Sequence, residues 1–202
     1  MGIFVLFFKS DCFDLIESCI LIRFWTVLCI TIYLQYYFIE KFDKKILKNQ
    51  SPKTAIIYRN YTKKINIAEV LKLRKFCNKN KLRLFISNNF KLALKLNLHG
   101  AYIPSFNKSF YHLNFSLKKN FIIIGSAHNL REIRIKEKQK VDAIFLSSIF
   151  KKNNNYLGLF KFLNLCSLSK KTVIALGGIS IKNKKILNMF NLWGFAGISY
   201  FK

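Results

Sequence analysis

From Tyr36 onward the chain alternates two patterns. Short runs rich in Val, Ile, Phe and Tyr are followed by stretches whose apolar residues recur at helical spacing. The short runs are Tyr36–Phe42, Thr54–Arg59, Arg83–Ser87, Gly100–Ile103, Phe121–Gly125, Asp142–Ser147, Thr172–Gly177 and Phe195–Tyr200. Several are near-continuously apolar, as strands buried on both faces are. Between them, Ala68–Asn78 carries Val70, Leu71, Leu73 and Phe76 on a helical period. Leu130–Gln139 alternates Ile133 and Ile135 with charged residues, and Leu157–Leu168 and Ile181–Phe190 read as further helices. Asn129 and Ser180 stand where N-caps belong. The connection after the fourth strand is weakly defined. This alternation predicts βα units and a parallel sheet. With eight strands, the expected fold is α/β: a short (β/α)8 TIM barrel over residues 36–202.

Residues 1–35 break the pattern and read as a hydrophobic N-terminal extension. From Ser18 to Leu34 the chain is apolar with Arg23 as the single charge, about the minimum length for a transmembrane helix. Acids precede this run (Asp11, Asp14, Glu17) and lysines follow it (Lys41, Lys44, Lys45, Lys48). The positive-inside rule then expects a cytoplasmic barrel, anchored by residues 18–34. Two other readings stay open: a soluble extension packed on the barrel, and a start codon assigned too far upstream. The sequence stops at Lys202, directly after the eighth strand, so the barrel is expected to lack its last helix. The apolar N-terminal helix is expected to cover the groove that this leaves.

Composition changes the picture in two places. The chain has 35 Lys and Arg against 9 Asp and Glu, a formal charge of +26. A nucleic acid or an anionic membrane would suit such a charge. However, the lysines are spread over the whole chain, no basic-aromatic RNA-binding motif is present, and Lys, Asn, Ile and Phe are all in excess. Compositional bias from an AT-rich genome explains this better than a specific nucleic-acid partner. The scarcity of acids is more telling. Nothing after Asp142 is acidic, and Glu40 and Asp43 are the acids expected on the C-terminal rim. Five scattered cysteines without C-x-x-C spacing argue against a disulfide framework or a zinc site.

The chemistry-bearing feature is Gly177-Gly178-Ile179-Ser180, between a strand and a helix cap. Two glycines let backbone approach an anion, and a helix N-terminus behind them offers N–H groups. Barrels of this class place phosphates in the loops after strands seven and eight. Gly197-Ile198-Ser199 would supply the second set of amides, so Gly177, Gly178, Gly197 and Ser199 are the expected phosphate-binding residues. The alternative is an ordinary glycine-rich βα turn.

The order of the strand ends resembles the thiamine-phosphate synthase / TenI family. The residues that carry the likeness are YRNY (Tyr58–Tyr61), LFISNNFKLALKLNLHGAYI (Leu84–Ile103), SAHNLREI (Ser126–Ile133), VDAIFLSSIF (Val141–Phe150), YLGLFKF (Tyr156–Phe162) and VIALGGIS (Val173–Ser180). The resemblance implies a thiazole phosphate gripped by the Gly-Gly turn. It also implies either of two reactions: coupling to a pyrimidine pyrophosphate with magnesium, or aromatisation of the thiazole ring. It further implies that Arg59, Asn88, Lys151 and Lys152 face substrate or pyrophosphate, and that His128, with Ser126 before it, is the acid/base. Imidazole titrates near neutrality, which suits moving a ring proton. His99 and His112 lack this placement and read as structural.

Departures from the family pattern matter as much. The Q-x-R-x-K run reads Ile57-Tyr58-Arg59-Asn60-Tyr61, with glutamine and lysine lost. The magnesium carboxylate is replaced by Asn88, a poor partner for a hard dication, and no metal ligand is assigned. Three functions follow: a metal-poor enzyme of thiamine biosynthesis, a non-catalytic barrel for a phosphorylated ligand, and a barrel whose basic face meets lipid. Oligomeric state is not legible.

Overall fold

A computed structural model describes residues 34–61, 65–187, 190 and 192–201. The transmembrane and groove-covering readings of the N-terminal segment lie outside these residues, apart from Leu34 and Gln35. Those two belong to the first strand, which therefore starts earlier than the pattern suggested. Among the described residues, no helix is long and apolar enough to cross a membrane.

The elements run β1 (Leu34–Ile39), α1 (Lys44–Lys48), β2 (Thr54–Tyr58), α2 (Ile67–Lys79), β3 (Arg83–Ser87), α3 (Phe90–Lys95), β4 (Gly100–Ile103), a 3-10 turn (Tyr111–Asn114), β5 (Ile122–Ala127), α4 (Leu130–Lys138), β6 (Ala143–Ser147), α5 (Gly158–Leu168), β7 (Thr172–Leu176), α6 (Ile181–Leu187), β8 (Gly194–Gly197) and a 3-10 turn (Ser199–Phe201). The strands form a closed parallel barrel in sequence order, with β1 paired to β8 (Leu34 opposite Gly194). The (β/α)8 expectation holds, with helices between most strands.

Period-two alternation sorts each strand into two faces. One set of side chains packs outward under the helices, and includes Ile56, Tyr58, Leu84, Ile86, Ile144 and Leu146. The other fills the barrel: Tyr36, Phe38, Phe85, Tyr102 and Phe145, with Ala55, Ala143 and Ala196 among them. Large rings and alanines must alternate here, because a narrow barrel at close-packed density leaves no room for a ring at every position. The rings meet edge to face, Tyr36–Phe145 at 5.1 Å and Phe38–Tyr102 at 5.4 Å, the geometry that the ring quadrupole favours.

Local chemistry sets the helix starts. Asn66 and Asn129 accept from the N–H groups of Glu69 and Glu132, and Asn89 does the same for Leu92. Ser180 and Asn183 bond reciprocally at the head of α6, Ser180 N to Asn183 Oδ1 at 2.8 Å and Asn183 N to Ser180 Oγ at 3.4 Å. Two short helices, α1 and α3, escape the periodic reading, because five or six residues give too few repeats. The eighth strand ends at Gly197 rather than Tyr200, and Ser199 lies in the 3-10 turn that follows.

Candidate functional site

The same alternation puts one residue per strand end into the C-terminal mouth. Beyond Phe38, Ile57, Phe85, Ile124, Phe145 and Ile174, the next inward positions are Glu40, Arg59, Ser87, Ser126, Ser147 and Leu176. Of these, Arg59 and Ser126 are expected site residues. Ser147 and Ser87 were not singled out, although the period-two count contains them.

Arg59 is not a solvated strand-end arginine. Its guanidinium lies over the Phe38 ring at 5.0 Å and the Tyr61 ring at 5.5 Å, and 3.7 Å from Glu40 Oε1. Tyr61 stands where the family pattern has lysine, and it gives Arg59 a ring in place of a second cation. The Tyr61 ring in turn meets Phe106 edge to face at 5.3 Å. Burial pushes the Tyr61 hydroxyl up from its usual value, and the nearby Ser87, Arg59 and Tyr102 partly offset this. Ser87 Oγ itself is buried without a hydrogen bond of good geometry. Deeper in, Tyr102 OH donates to Ser126 Oγ at 2.9 Å, and burial likewise raises the Tyr102 hydroxyl.

His128 does not pair with Ser126. Its Nδ1 lies 2.9 Å from the Ser147 carbonyl and 3.0 Å from Ser147 Oγ. A carbonyl oxygen can only accept, so Nδ1 carries the proton, and the neutral ring keeps its lone pair on Nε2. The His128 backbone N–H donates to Glu132 Oε2 at 2.8 Å. The ring is therefore held by β6, and the backbone that carries it by the first turn of α4.

Asn88 sits at the end of β3 with φ 59°, and its Oδ1 accepts from Asn107 Nδ2 at 2.5 Å. The carboxamide oxygen is thus spent on the β4–β5 connection. The rim holds more acids than expected, because Glu69 and Glu132 come up beside it on the first turns of α2 and α4. Both are committed. Glu69 accepts from Phe42 N at 2.7 Å and from Tyr58 OH at 3.0 Å, and Tyr58 is pushed up to about 12 by burial and by that contact. Glu132 serves His128 and Asn129. Asp43 caps α1, accepting from Lys45 N and Ile46 N, and Glu40 faces Arg59. Among the described residues no three His, Cys, Asp or Glu side chains gather. This donor set does not fit magnesium, which wants carboxylate oxygens free to converge.

The register of β7 with β8, Leu176 opposite Ala196, sets Gly177–Ser180 beside Gly197–Ser199. Gly177 and Gly178 have φ 103° and 74°, values that other residues rarely adopt. The space beside them is also closed. A Cβ on Gly177 would run into Ser148 Oγ, and one on Gly178 would lie 2.5 Å from Lys151 N. The β6 loop is folded tightly onto the turn, with Phe150 N donating to Gly177 O at 2.9 Å. The glycine pair is therefore required by packing, whether or not an anion sits there. Gly197 carries no such demand, as its Cβ would meet only Tyr200 Cβ at 3.6 Å. The Lys151 and Lys152 side chains are both exposed beside this turn.

The other two histidines are engaged within the fold. His99 Nδ1 accepts from Leu84 N at 3.2 Å. His112 Nε2 donates to the Gln139 carbonyl at 2.7 Å, and its ring stacks on Phe90.

Known proteins match over the same residues. The family model described as thiamine monophosphate synthase matches residues 40–201. The Aquifex aeolicus (strain VF5) protein named "Putative thiamine-phosphate synthase 2" is 33% identical over 135 residues, covering 64% of this chain and 71% of its own length. A thiamine-phosphate synthase of Methanococcus vannielii is 26% identical over 132 residues, covering 63% of this chain and 64% of its own length. Among solved structures, a thiamine phosphate pyrophosphorylase from Pyrococcus furiosus superposes with a TM-score of 0.66 at 20% identity, over 84% of this chain and 86% of that one. That structure bears on the fold alone, whereas the family model spans the barrel from the end of β1 to the turn after β8. The chain belongs to the thiamine monophosphate synthase family.

Proposed function

We propose that the barrel mouth binds a thiazole phosphate, with the phosphate at the β7–β8 end, and that His128 moves a proton on the thiazole ring. The observation that carries this reading is the pinning of His128 Nδ1 by Ser147. It leaves a basic Nε2 on a ring of fixed orientation, which is what a general base requires. Nε2 takes a proton from one ring position and returns it at another, so the tautomer changes with no net loss of protons. Arg59 supplies positive charge across the mouth, and Lys151 and Lys152 stand beside the Gly177-Gly178 turn as further cations for the phosphate.

The relatives' names favour a second reading, coupling of the thiazole phosphate to a pyrimidine pyrophosphate. The engaged carboxylates and the replacement of lysine by Tyr61 weigh against it, since that chemistry in the family relies on magnesium. Two measurements separate the readings. Purified full-length protein treated with a chelator should bind thiazole phosphate by calorimetry and catalyse its tautomerisation. The gene should fail to restore thiamine-independent growth to a strain lacking thiamine-phosphate synthase. Growth, or activity that disappears with the chelator, would overturn the metal-free reading. Absence of thiazole phosphate binding would remove the ligand assignment altogether.

A further inference from the structure

The connection from β4 to β5 contains a 3-10 turn but no α-helix, and it carries Phe106 62% exposed, with Phe110 and Tyr111 also exposed. Its second half is anchored by Phe115 and Leu117 against the core and by His112 stacked on Phe90. A buried lysine holds its first half. Lys136, on the inner face of α4 three residues after Ile133, is 0% exposed. Its stem passes over Gly125, where a Cβ would lie 2.8 Å from Lys136 Cδ. Its Nζ donates to Pro104 O at 2.7 Å, Asn107 O at 2.7 Å and Gln139 Oε1 at 3.0 Å, which uses all three ammonium protons. Gln139, equally buried, donates from Nε2 to Asn107 O at 3.1 Å and Ser109 O at 2.8 Å. The segment so held places Asn107 on Asn88 and Phe106 on Tyr61, the ring that covers Arg59.

We propose that Lys136 is a positioning residue of the mouth: it clamps residues 104–109 from inside the barrel wall and thereby sets the mouth's affinity for its ligand. The affinity half rests on the thiazole phosphate reading above; the clamp itself does not.

The charges around Lys136 fix how the clamp responds to pH. The loop offers it neutral carbonyls, Gln139 offers an amide oxygen, and His112 faces it only through the Gln139 carbonyl. Glu132, one turn back on α4, is the charge that favours the ammonium form. Burial outweighs it and lowers Lys136 from 10.5 to about 8. An opened loop would return the ammonium to water and its ordinary value. The closed state therefore holds fewer protons between these values, and the clamp tightens as pH rises through 8.

Hydrogen exchange of the full chain, read by mass spectrometry and corrected for intrinsic rates, tests this at pH 7.5 and 9.5. In Lys136→Met, protection of residues 104–116 should fall about tenfold or more, with strand peptides from β3 and β6 unchanged. In the wild type, protection of the same loop should rise several-fold from pH 7.5 to 9.5, and in the variant it should stay flat. Thiazole phosphate affinity should fall about tenfold with the loop. Loop protection within about twofold of wild type, or a loss spread evenly over the barrel, would overturn the clamp. A loosened loop with unchanged affinity would overturn its role at the mouth. If the wild type binds no thiazole phosphate, the ligand reading fails, and exchange alone decides the clamp. If the variant does not fold, Gln139→Ala, which removes the donors to Asn107 O and Ser109 O, decides: lost loop protection supports the clamp and unchanged protection overturns it.

Discussion

Replacing Gly178 by alanine isolates packing from ligand binding at the β7 turn. Two costs add. At φ 74° a Cβ is strained, by about 1–2 kcal/mol. The new methyl would also lie 2.5 Å from Lys151 N and 3.0 Å from Lys151 Cα. Both are backbone atoms of a loop tied down by Ser148 N to Asn155 O and Leu157 N to Ser148 O, each at 2.8 Å. Such a loop yields only by moving as a unit, and overpacking of this kind costs about 1–3 kcal/mol. Together the two come to about 2–5 kcal/mol, which in a chain of this size lowers Tm by roughly 5–15 °C. Gly197→Ala is the control. It sits at the other lip of the same proposed phosphate site, yet its Cβ would meet one atom at 3.6 Å. Its Tm should stay within about 2 °C of wild type. Thermal unfolding of both variants, without ligand, makes the measurement. Equal Tm values would refute the claim that the glycine pair is fixed by the β6 loop.

Three further outcomes follow from single contacts. Thr54 Oγ1 is buried with no hydrogen-bond partner, so Thr54→Val should raise stability by about 1 kcal/mol in urea titration; a loss of stability would show that the hydroxyl is satisfied. His128→Asn keeps a donor for the Ser147 carbonyl but cannot exchange protons. Tautomerase turnover should drop by about 10²–10⁴-fold while thiazole phosphate affinity changes little, and an unchanged rate would remove His128 from the chemistry. Arg59→Gln gives up the contacts with two rings and the charge at the mouth. Pyrophosphate and phosphate binding by calorimetry should weaken about tenfold, with a stability loss of about 1 kcal/mol; unaltered anion affinity would place the binding elsewhere.

The strands were legible because burial on both faces leaves a local mark. Runs such as Ile122–Ala127 and Ala143–Ser147 are apolar but for one serine near the end of each, and their ends differ from the expected ones by a residue or two. Helix starts were legible where a cap lies next to the first turn, as at Asn129 and Ser180. The β4–β5 connection was not. Its sequence, PSFNKSFYHLNFSLKKN, has no apolar period of either kind, and its first half is bonded to a lysine and a glutamine about thirty residues away, on α4 and just after it. Nothing within the segment records that. The same limit hid α3, whose six residues are too few to show a period even though Asn89 caps it like the longer helices.

At the mouth, residue types were readable but their partners were not. Counting by twos along β5 and β6 brings Ser126 and Ser147 inward. The count cannot say that Ser126 goes to Tyr102 and Ser147 to His128, because those pairings depend on the barrel's stagger. Acids misled in a related way. Glu69 and Glu132 each follow a capping asparagine, Asn66 and Asn129, by three residues, the spacing of a helix cap. Their carboxylates instead reach beyond their helices, Glu69 to Phe42 N across 27 residues and Glu132 to the backbone of His128. The sequence puts Glu40 and Asp43 on the rim, and the fold adds Glu69 and Glu132 beside them. The fold spends the latter two on holding the β1 loop and the histidine in place, and that spending, more than the change at Asn88 alone, removes the oxygens a magnesium ion would need.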